Sequence, residues 1–219
     1  MACPKITLKI ASSLDGKIAL ANGQSKWITS EAARTAGREL RATHDAIAIG
    51  SNTALNDNPQ LTTRLENKAD PVRIVFDSHA RLPLNSKLVK SAKETPTYLI
   101  TVNDSSKARA LAEQGVVILF AGANAEGRVD VKTAMDMLGH HGIYQLLIEG
   151  GGTLAASFLK LGLIDRIEWF RAPSILGADG RSAIGDLALS NMSDIYKFKR
   201  VSLTDIGDDI HERYERVRG

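Results

Sequence analysis

The sequence predicts a three-layer α/β domain with a mostly parallel central sheet and an antiparallel hairpin near its C-terminal end. Three observations carry this reading. Short apolar, β-branched runs bounded by turn residues recur at 6–11, 46–49, 72–76, 98–101, 116–120, 144–148 and 167–170. Several are continuous rather than alternating, which is how strands covered on both faces read. Segments with helical spacing lie between them, and strands alternating with helices imply parallel pairing through right-handed crossovers. After Arg200 the pattern changes to two strand-like runs, 201–206 and 209–216, joined by a turn centred on Gly207.

Capping and periodicity place the helices. Thr29 or Ser30 can cap a helix that runs to Ala42, with Glu31 meeting the positive dipole end and Arg38 and Arg41 near the last turn. Residues 107–114 and 131–138 read as two more, and His140-His141 before Gly142 reads as a helix end. A further helix begins after Gly152, with Leu154, Phe158 and Leu161 at i, i+4 and i+7 and Gly162 at its C-terminus. The 219 residues show no internal repeat or linker-like tract, so residues 1–219 are expected to form a single domain.

Composition narrows the function classes. The net charge is +3 with the basic residues spread along the chain, which sets nucleic acid aside. Cys3 is the only cysteine, and His44, His79, His140, His141 and His211 have no metal-ligand spacing, so no metal site is expected. No apolar run approaches the ~20 residues that span a bilayer, and the N-terminus lacks an apolar signal core. A cytoplasmic protein without a membrane partner is expected. No G-x-S-x-G elbow is present, which disfavours serine hydrolysis.

The segment Ile148-Glu149-Gly150-Gly151-Gly152-Thr153-Leu154-Ala155 is the most informative. A strand running through three glycines into a helix leaves backbone N–H groups at a positive dipole end with no side chain to hold off a phosphate. It satisfies G-x-G-x-x-A, a weak dinucleotide fingerprint here, because the acid expected about 20 residues on would be Glu168, inside a strand. A plain strand-to-helix turn is the bland alternative. Glu149 stands at the carboxyl end of that strand, where α/β sheets collect ligands, or serves as a capping or ion-paired Glu. Lys9 is a lone charge in an apolar strand, either snorkelling from an edge or facing an anion. Residues 50–64 read as a polar loop after a buried strand. Arg34, Arg38 and Arg41 share a helix face, a solvated one unless they gather a phosphate together with Arg64. Asp77 ends a strand, where it takes a ribose hydroxyl or simply opens a turn.

Longer motifs add a resemblance. Lys9-Ile10-Ala11-Ser12-Ser13-Leu14-Asp15-Gly16-Lys17, then Ser25-Lys26-Trp27-Ile28-Thr29-Ser30, Leu40-Arg41, Thr53, Asp57-Asn58-Pro59, Leu61-Thr62, Arg64, Arg73-Ile74-Val75-Phe76-Asp77-Ser78 to Pro83, and Glu149 to Leu154 resemble the reductase domain of the riboflavin-biosynthesis protein RibD. The resemblance runs in order over nearly the whole chain. It implies a dihydrofolate-reductase-like fold, a homodimer, and NADPH-dependent reduction of 5-amino-6-(5-phosphoribosylamino)uracil to the ribitylamino compound, by hydride delivery to the sugar C1′ of the ring-opened imine. It implies Ser25, Arg41, Leu61, Arg64 and Glu149 at the substrate, with Arg41 and Arg64 clamping the phosphate. It implies Ala11, Trp27, Thr53, Asp57, Ser78, Gly151, Gly152, Thr153, Leu154, Ala155, Ala156 and Ser157 at NADPH. Lys9, Asp57 and Glu149 become the candidate catalytic groups that orient the sugar or relay the proton, and one bond among the three glycines is expected to be cis. Many family members carry an N-terminal zinc deaminase with H-x-E and P-C-x-x-C motifs; this sequence starts at the reductase, and no deaminase domain is expected. The alternatives are reduction of the diaminopyrimidinone analogue or of a pterin-like C=N substrate on the same scaffold, and a nucleotide-binding domain without turnover.

Overall fold

The computed structural model describes residues 3–102 and 104–217. The ends of the expected domain, Met1, Ala2, Arg218 and Gly219, lie outside the described residues, as does Asn103. The chain divides into two compact units, Met1–Lys5 with Arg38–Leu147 and Ile6–Gly37 with Ile148–Gly219.

In the first unit β3 (Ala46–Gly50), β4 (Val72–Phe76), β5 (Thr97–Thr101) and β6 (Val117–Phe120) pair in parallel in that order. β7 (Gln145–Glu149) adjoins β3 and carries the chain into the second unit. The apolar runs of β3, β4 and β5 are largely buried, whereas β6 leaves Val117 and Phe120 exposed, and Ile47, Ile49, Val75, Leu82, Leu88, Leu99 and Leu111 share one core cluster. Helix α3 (Lys87–Lys90) is capped by Ser86 Oγ on the Val89 N–H, α4 (Ser106–Glu113) by Ser105 Oγ on the Ala108 N–H, and α5 (Val131–His140) by Asp130 on the Thr133 N–H.

Residues 50–64 depart from the expected loop. The first half forms a two-turn helix, α2 (Ser51–Asp57), begun directly by Gly50 without a side-chain cap, so neither of the usual start signals marks it in sequence. The second half is irregular and passes through the left-handed region at Asn58 (φ 40°), Leu61 (φ 57°), Arg64 (φ 54°) and Asn67 (φ 61°). A bulky residue at such a φ is strained and persists only where surrounding contacts impose it. Those contacts are present. The Asn58 side-chain carbonyl accepts from the Lys87 N–H at 2.9 Å, Arg41 Nη1 donates to the Thr62 carbonyl at 2.8 Å, and Asp70 accepts from both the N–H and the hydroxyl of Thr63 at 2.8 and 3.1 Å.

In the second unit β1 (Lys5–Ser12) pairs in parallel with β8 (Arg166–Arg171), and β8 pairs antiparallel with β11 (Asp209–Arg216), which pairs antiparallel with β10 (Phe198–Ile206). The expected hairpin is therefore present, three residues longer at its start, and Gly207 turns it at φ 63°. Helix α1 (Glu31–Ala42) is capped by Ser30, whose Oγ accepts from the Ala33 N–H. Helix α6 (Gly152–Lys160) follows β7 and stops at Leu161-Gly162, as its spacing predicts. A short ribbon, β2 (Lys17–Ala19) with β9 (Arg181–Ser182), was not signalled by periodicity, being too short to show one.

Candidate active site

The turn between β7 and α6 is built from backbone alone. Gly150 and Gly151 sit at φ 74° and 84°, which reverses the chain with every peptide bond among the three glycines trans; the expected cis bond is absent, and the non-proline cis peptide of the described residues is Lys26–Trp27. Gly152 is required for a different reason. A Cβ there would lie 2.5 Å from the Ser182 carbonyl and 3.0 Å from the Gly185 nitrogen, and the Gly185 N–H donates to the Gly152 carbonyl at 2.9 Å. Residues 182–185 thus press against the turn from behind. Ahead of it Glu149 is buried, while Leu154, Ala155 and Ala156 of α6 are buried and Ser157 is half-buried.

The S-L-D-G-K signature explains why residues 174–185 hold their place. The Ser13 hydroxyl donates to Asp15 at 2.5 Å, Asp15 accepts from the Leu176 and Gly177 N–H groups, and Lys17 Nζ reaches Ser182 Oγ at 3.1 Å. These donors hold the Asp15 carboxyl down to about 2. Three signature residues are therefore architectural.

Lys9 leaves β1 half-buried. It does not snorkel from a strand edge: its stem lies against Gly37 of α1, where a Cβ would meet Lys9 Cε at 3.3 Å, and its ammonium stands 5.7 Å over the Phe170 ring. Ala11 follows on the same face, also half-buried. The other face of the story is β11. His211 stacks on Phe170 with ring centroids 4.2 Å apart, and His211 Nε2 and Arg213 Nε each lie 2.7 Å from the Glu168 carboxylate. Glu168 is fully buried; desolvation raises its pKa, and the hydrogen bonds from His211 and Arg213 outweigh it, leaving the carboxyl below its ordinary value. It is committed to that cluster and is not a ribose-binding acid. Ser25 is half-buried, and Trp27 is exposed under the Arg34 guanidinium, 4.3 Å from its ring.

In the first unit, Arg41 is tied to the Thr62 carbonyl, so the helix arginine holds the loop that carries buried Leu61 and exposed Arg64. Arg34, in the second unit, donates to the Thr29 carbonyl and stacks on Trp27. Thr53 is half-buried and Asp57 exposed on α2. Asp77 is a turn residue: one oxygen accepts from the Leu82 N–H at 2.8 Å, inside the protein. Ser78 Oγ accepts from the Val129 N–H at 3.0 Å.

Sequence reasoning passed over Arg73. Its guanidinium, 1% exposed, donates to Ser91 Oγ at 2.7 Å, the Thr95 carbonyl at 2.7 Å and Thr97 Oγ1 at 2.6 Å, with a longer bond to the Gln60 carbonyl. Burial lowers its pKa. A lone Arg inside an otherwise apolar strand was the available signal.

Comparison with known proteins bears on all of this. Residues 4–212 match the family model described as the RibD C-terminal domain. The riboflavin biosynthesis protein RibD of Actinobacillus pleuropneumoniae is 39% identical over 209 residues, covering 94% of this chain and 55% of that protein. The 2,5-diamino-6-ribosylamino-4(3H)-pyrimidinone 5′-phosphate reductase of Methanothermobacter thermautotrophicus is 35% identical over 217 residues, covering 96% of this chain and 97% of that protein. The solved structure of Acinetobacter baumannii RibD superposes with a TM-score of 0.86 at 32% identity, covering 98% of this chain and 58% of that one. The chain thus spans about half the length of the curated RibD relatives it matches.

Proposed function

The chain belongs to the RibD C-terminal domain family, and on that premise we propose that it is an NADPH-dependent reductase of riboflavin biosynthesis. Its substrate is 5-amino-6-(5-phosphoribosylamino)uracil and its product the 5-phosphoribitylamino compound. The observation that carries this is the match of residues 4–212 to the RibD C-terminal domain, with RibD itself 39% identical; the similar pyrimidinone phosphate reductase keeps the diaminopyrimidinone as the second reading. The glycine turn supports it, since Gly150 and Gly151 put no side chain between a dinucleotide phosphate and the backbone that leads into α6. In this reading residues 1–219 act as one reductase domain, cytoplasmic and homodimeric; the exposed apolar side chains Ile175, Met192, Val201 and Leu203 of the second unit support a second copy as partner.

When bound, NADPH supplies the hydride that adds to C1′ of the ring-opened ribosylimine while a proton goes to nitrogen. The protein's task is to hold two anionic molecules in register. Arg41 and Arg64 clamp the substrate phosphate, and Ser25 and Leu61 belong to the same recognition set. Lys9 and Glu149 are the polar groups that orient the opened sugar, and with Asp57 they relay the proton. Ala11, Trp27, Thr53, Asp57, Ser78 and the run Gly151 to Ser157 hold the dinucleotide. Lys9 suits its role because its stem is packed and its ammonium is fixed over Phe170 rather than free to swing.

The test is anaerobic NADPH oxidation by the full chain with the phosphoribosylaminouracil generated in situ, run beside the diaminopyrimidinone and dihydrofolate. Turnover of the uracil compound at the highest kcat/KM is expected. Faster turnover of the diaminopyrimidinone would transfer the assignment to that substrate, and turnover of dihydrofolate alone would overturn it.

A further inference from the structure

The reaction as read above uses Lys9 but gives no task to the side chains packed beside it. Phe170 and Glu168 of β8 are fully buried, and His211 and Arg213 of β11 stand opposite them in the sheet. His211 Nε2 and Arg213 Nε each lie 2.7 Å from the Glu168 carboxylate, which anchors the imidazole at one edge. The anchored ring lies almost parallel to Phe170, with 7° between the planes and 4.2 Å between the centroids. Strand β8 runs between β11 and β1, so Phe170 has His211 opposite it on one side and Ala11 on the other. His211 therefore reaches the ring from one flank, and the Lys9 ammonium, 5.7 Å from the centroid, reaches it from the other. An aromatic face at that distance attracts a cation, the more so where water is excluded.

The opposite wall of this seat is a missing side chain. Gly37 lies buried in the middle of α1, where glycine weakens a helix relative to alanine. Its φ is not positive, so the path of the chain does not demand it. Lys9 does: a Cβ at position 37 would stand 3.3 Å from Lys9 Cε and 3.5 Å from Nζ. The lysine is thus threaded between a helix backbone and an aromatic ring, the ring is backed by an imidazole, and the imidazole is tied to a buried carboxylate. Fixing a long, flexible side chain before the substrate arrives removes an ordering cost from the reaction.

We propose that Gly37, Phe170 and His211 are positioning residues for the reduction: Gly37 and the Phe170 face form a slot that aims the Lys9 ammonium at the opened sugar, and His211, held by Glu168, keeps the Phe170 ring in place. The proposal rests on the reading above that gives Lys9 a part in orienting that sugar.

Steady-state kinetics of the full chain on the phosphoribosylaminouracil, joined to the proton–carbon NMR signal of the Lys9 ε-methylene, tests it. Lys9→Met identifies that signal and measures what the lysine contributes to kcat. Phe170→Leu and Gly37→Ala should each move the signal and lower kcat about 3- to 30-fold, with KM for NADPH unchanged. Gly37→Ala should do so without losing melting temperature, since alanine favours the helix and the end of a lysine is a yielding neighbour. His211→Leu and His211→Phe both give up the bond to Glu168, but only phenylalanine keeps a ring against Phe170, so His211→Leu should lose more of kcat. Unchanged kcat in Phe170→Leu and Gly37→Ala overturns the proposal, as does an equal loss in the two His211 variants. A loss that sits in KM for NADPH and tracks the melting temperature also overturns it, because a loosened sheet would explain it. Full kcat in Lys9→Met removes Lys9 from the reaction and this proposal with it, leaving the pyrimidine reductase standing. A wild-type chain that reduces no pyrimidine sinks the substrate reading and this proposal together, a failure visible before any variant is compared.

Discussion

Replacing Glu168 with glutamine should destabilise the protein by about 2–3 kcal/mol at neutral pH. Its carboxylate side chain is 1% exposed and takes two hydrogen bonds of 2.7 Å, one from the Arg213 guanidinium and one from the His211 ring. Each bond of that type contributes about 1.5–3 kcal/mol, and breaking a fully buried pair by removing one partner costs about 3–5 kcal/mol. The lower side of that range applies because the Arg213 and His211 side chains keep 39% and 19% of their surface in water, so the groups left behind remain partly hydrated. The glutamine carbonyl also still accepts one of the two bonds. Direction with pH follows from the lowered folded pKa, set by hydrogen bonds that outweigh burial. A carboxyl with a depressed folded pKa gives stability that is complete above its unfolded value, near 4.5 here, and is lost as pH falls through the folded value. The gap between wild type and variant is therefore full at pH 7 and closes in acid. Thermal melts of both proteins at neutral pH and at successively lower pH measure it, and for a chain of this size the neutral gap should be about 4–12 °C. Coincident melts at pH 7, or a gap that widens on acidification, would refute the reasoning.

The remaining predictions concern the turn, the loop and the core. Gly152→Ala forces a Cβ to within 2.5 Å of the Ser182 carbonyl, so the variant should lose about 1–3 kcal/mol of stability through overpacking and bind NADPH more weakly by fluorescence titration. Arg41→Ala and Arg64→Ala should each raise KM for the phosphorylated substrate by about 1–3 kcal/mol, and the effect should vanish with a dephosphorylated substrate; equal penalties on both substrates would remove the phosphate clamp. Arg73→Met leaves Ser91 Oγ, Thr95 O and Thr97 Oγ1 without their buried donor, a loss of about 3 kcal/mol that should appear as faster amide exchange across residues 88–97.

What the sequence made legible was whatever is encoded by neighbours. The β-strands with continuous apolar runs, the Ser30 cap, the stop at Gly162 and the Gly207 turn all depend on residues within a few positions of each other, and each stands where the pattern put it. Helix α2 escaped because its start has no side-chain cap and its residues, rich in Asn and Thr, favour turns as much as helix. Of the candidate site, the glycine turn was legible as a shape but not in its mechanism, since the contact that excludes a Cβ at Gly152 comes from residues 182–185. Glu168 shows the same limit from the other side. Spacing offered it as a ribose acid, and only the strand register that brings His211 and Arg213 to it reveals its partners. Asp77 was open between a ribose contact and a turn, and its inward bond to the Leu82 N–H emerges only in three dimensions.

The left-handed residues of the 58–67 loop carry an evolutionary consequence. A glycine at such a position removes strain of about 1–2 kcal/mol and returns about 0.5–1 kcal/mol of it through a freer unfolded chain, so most such exchanges stabilise. Asparagine tolerates the conformation best, so Asn58 and Asn67 would gain least from the exchange. Arg64, exposed, would gain most, and its side chain is one that the proposed substrate recognition needs, whereas Leu61, 3% exposed, would lose more in core burial than it sheds in strain. Selection for thermal stability at position 64 therefore pulls against selection for turnover, and the arginine at φ 54° stands where the two demands meet.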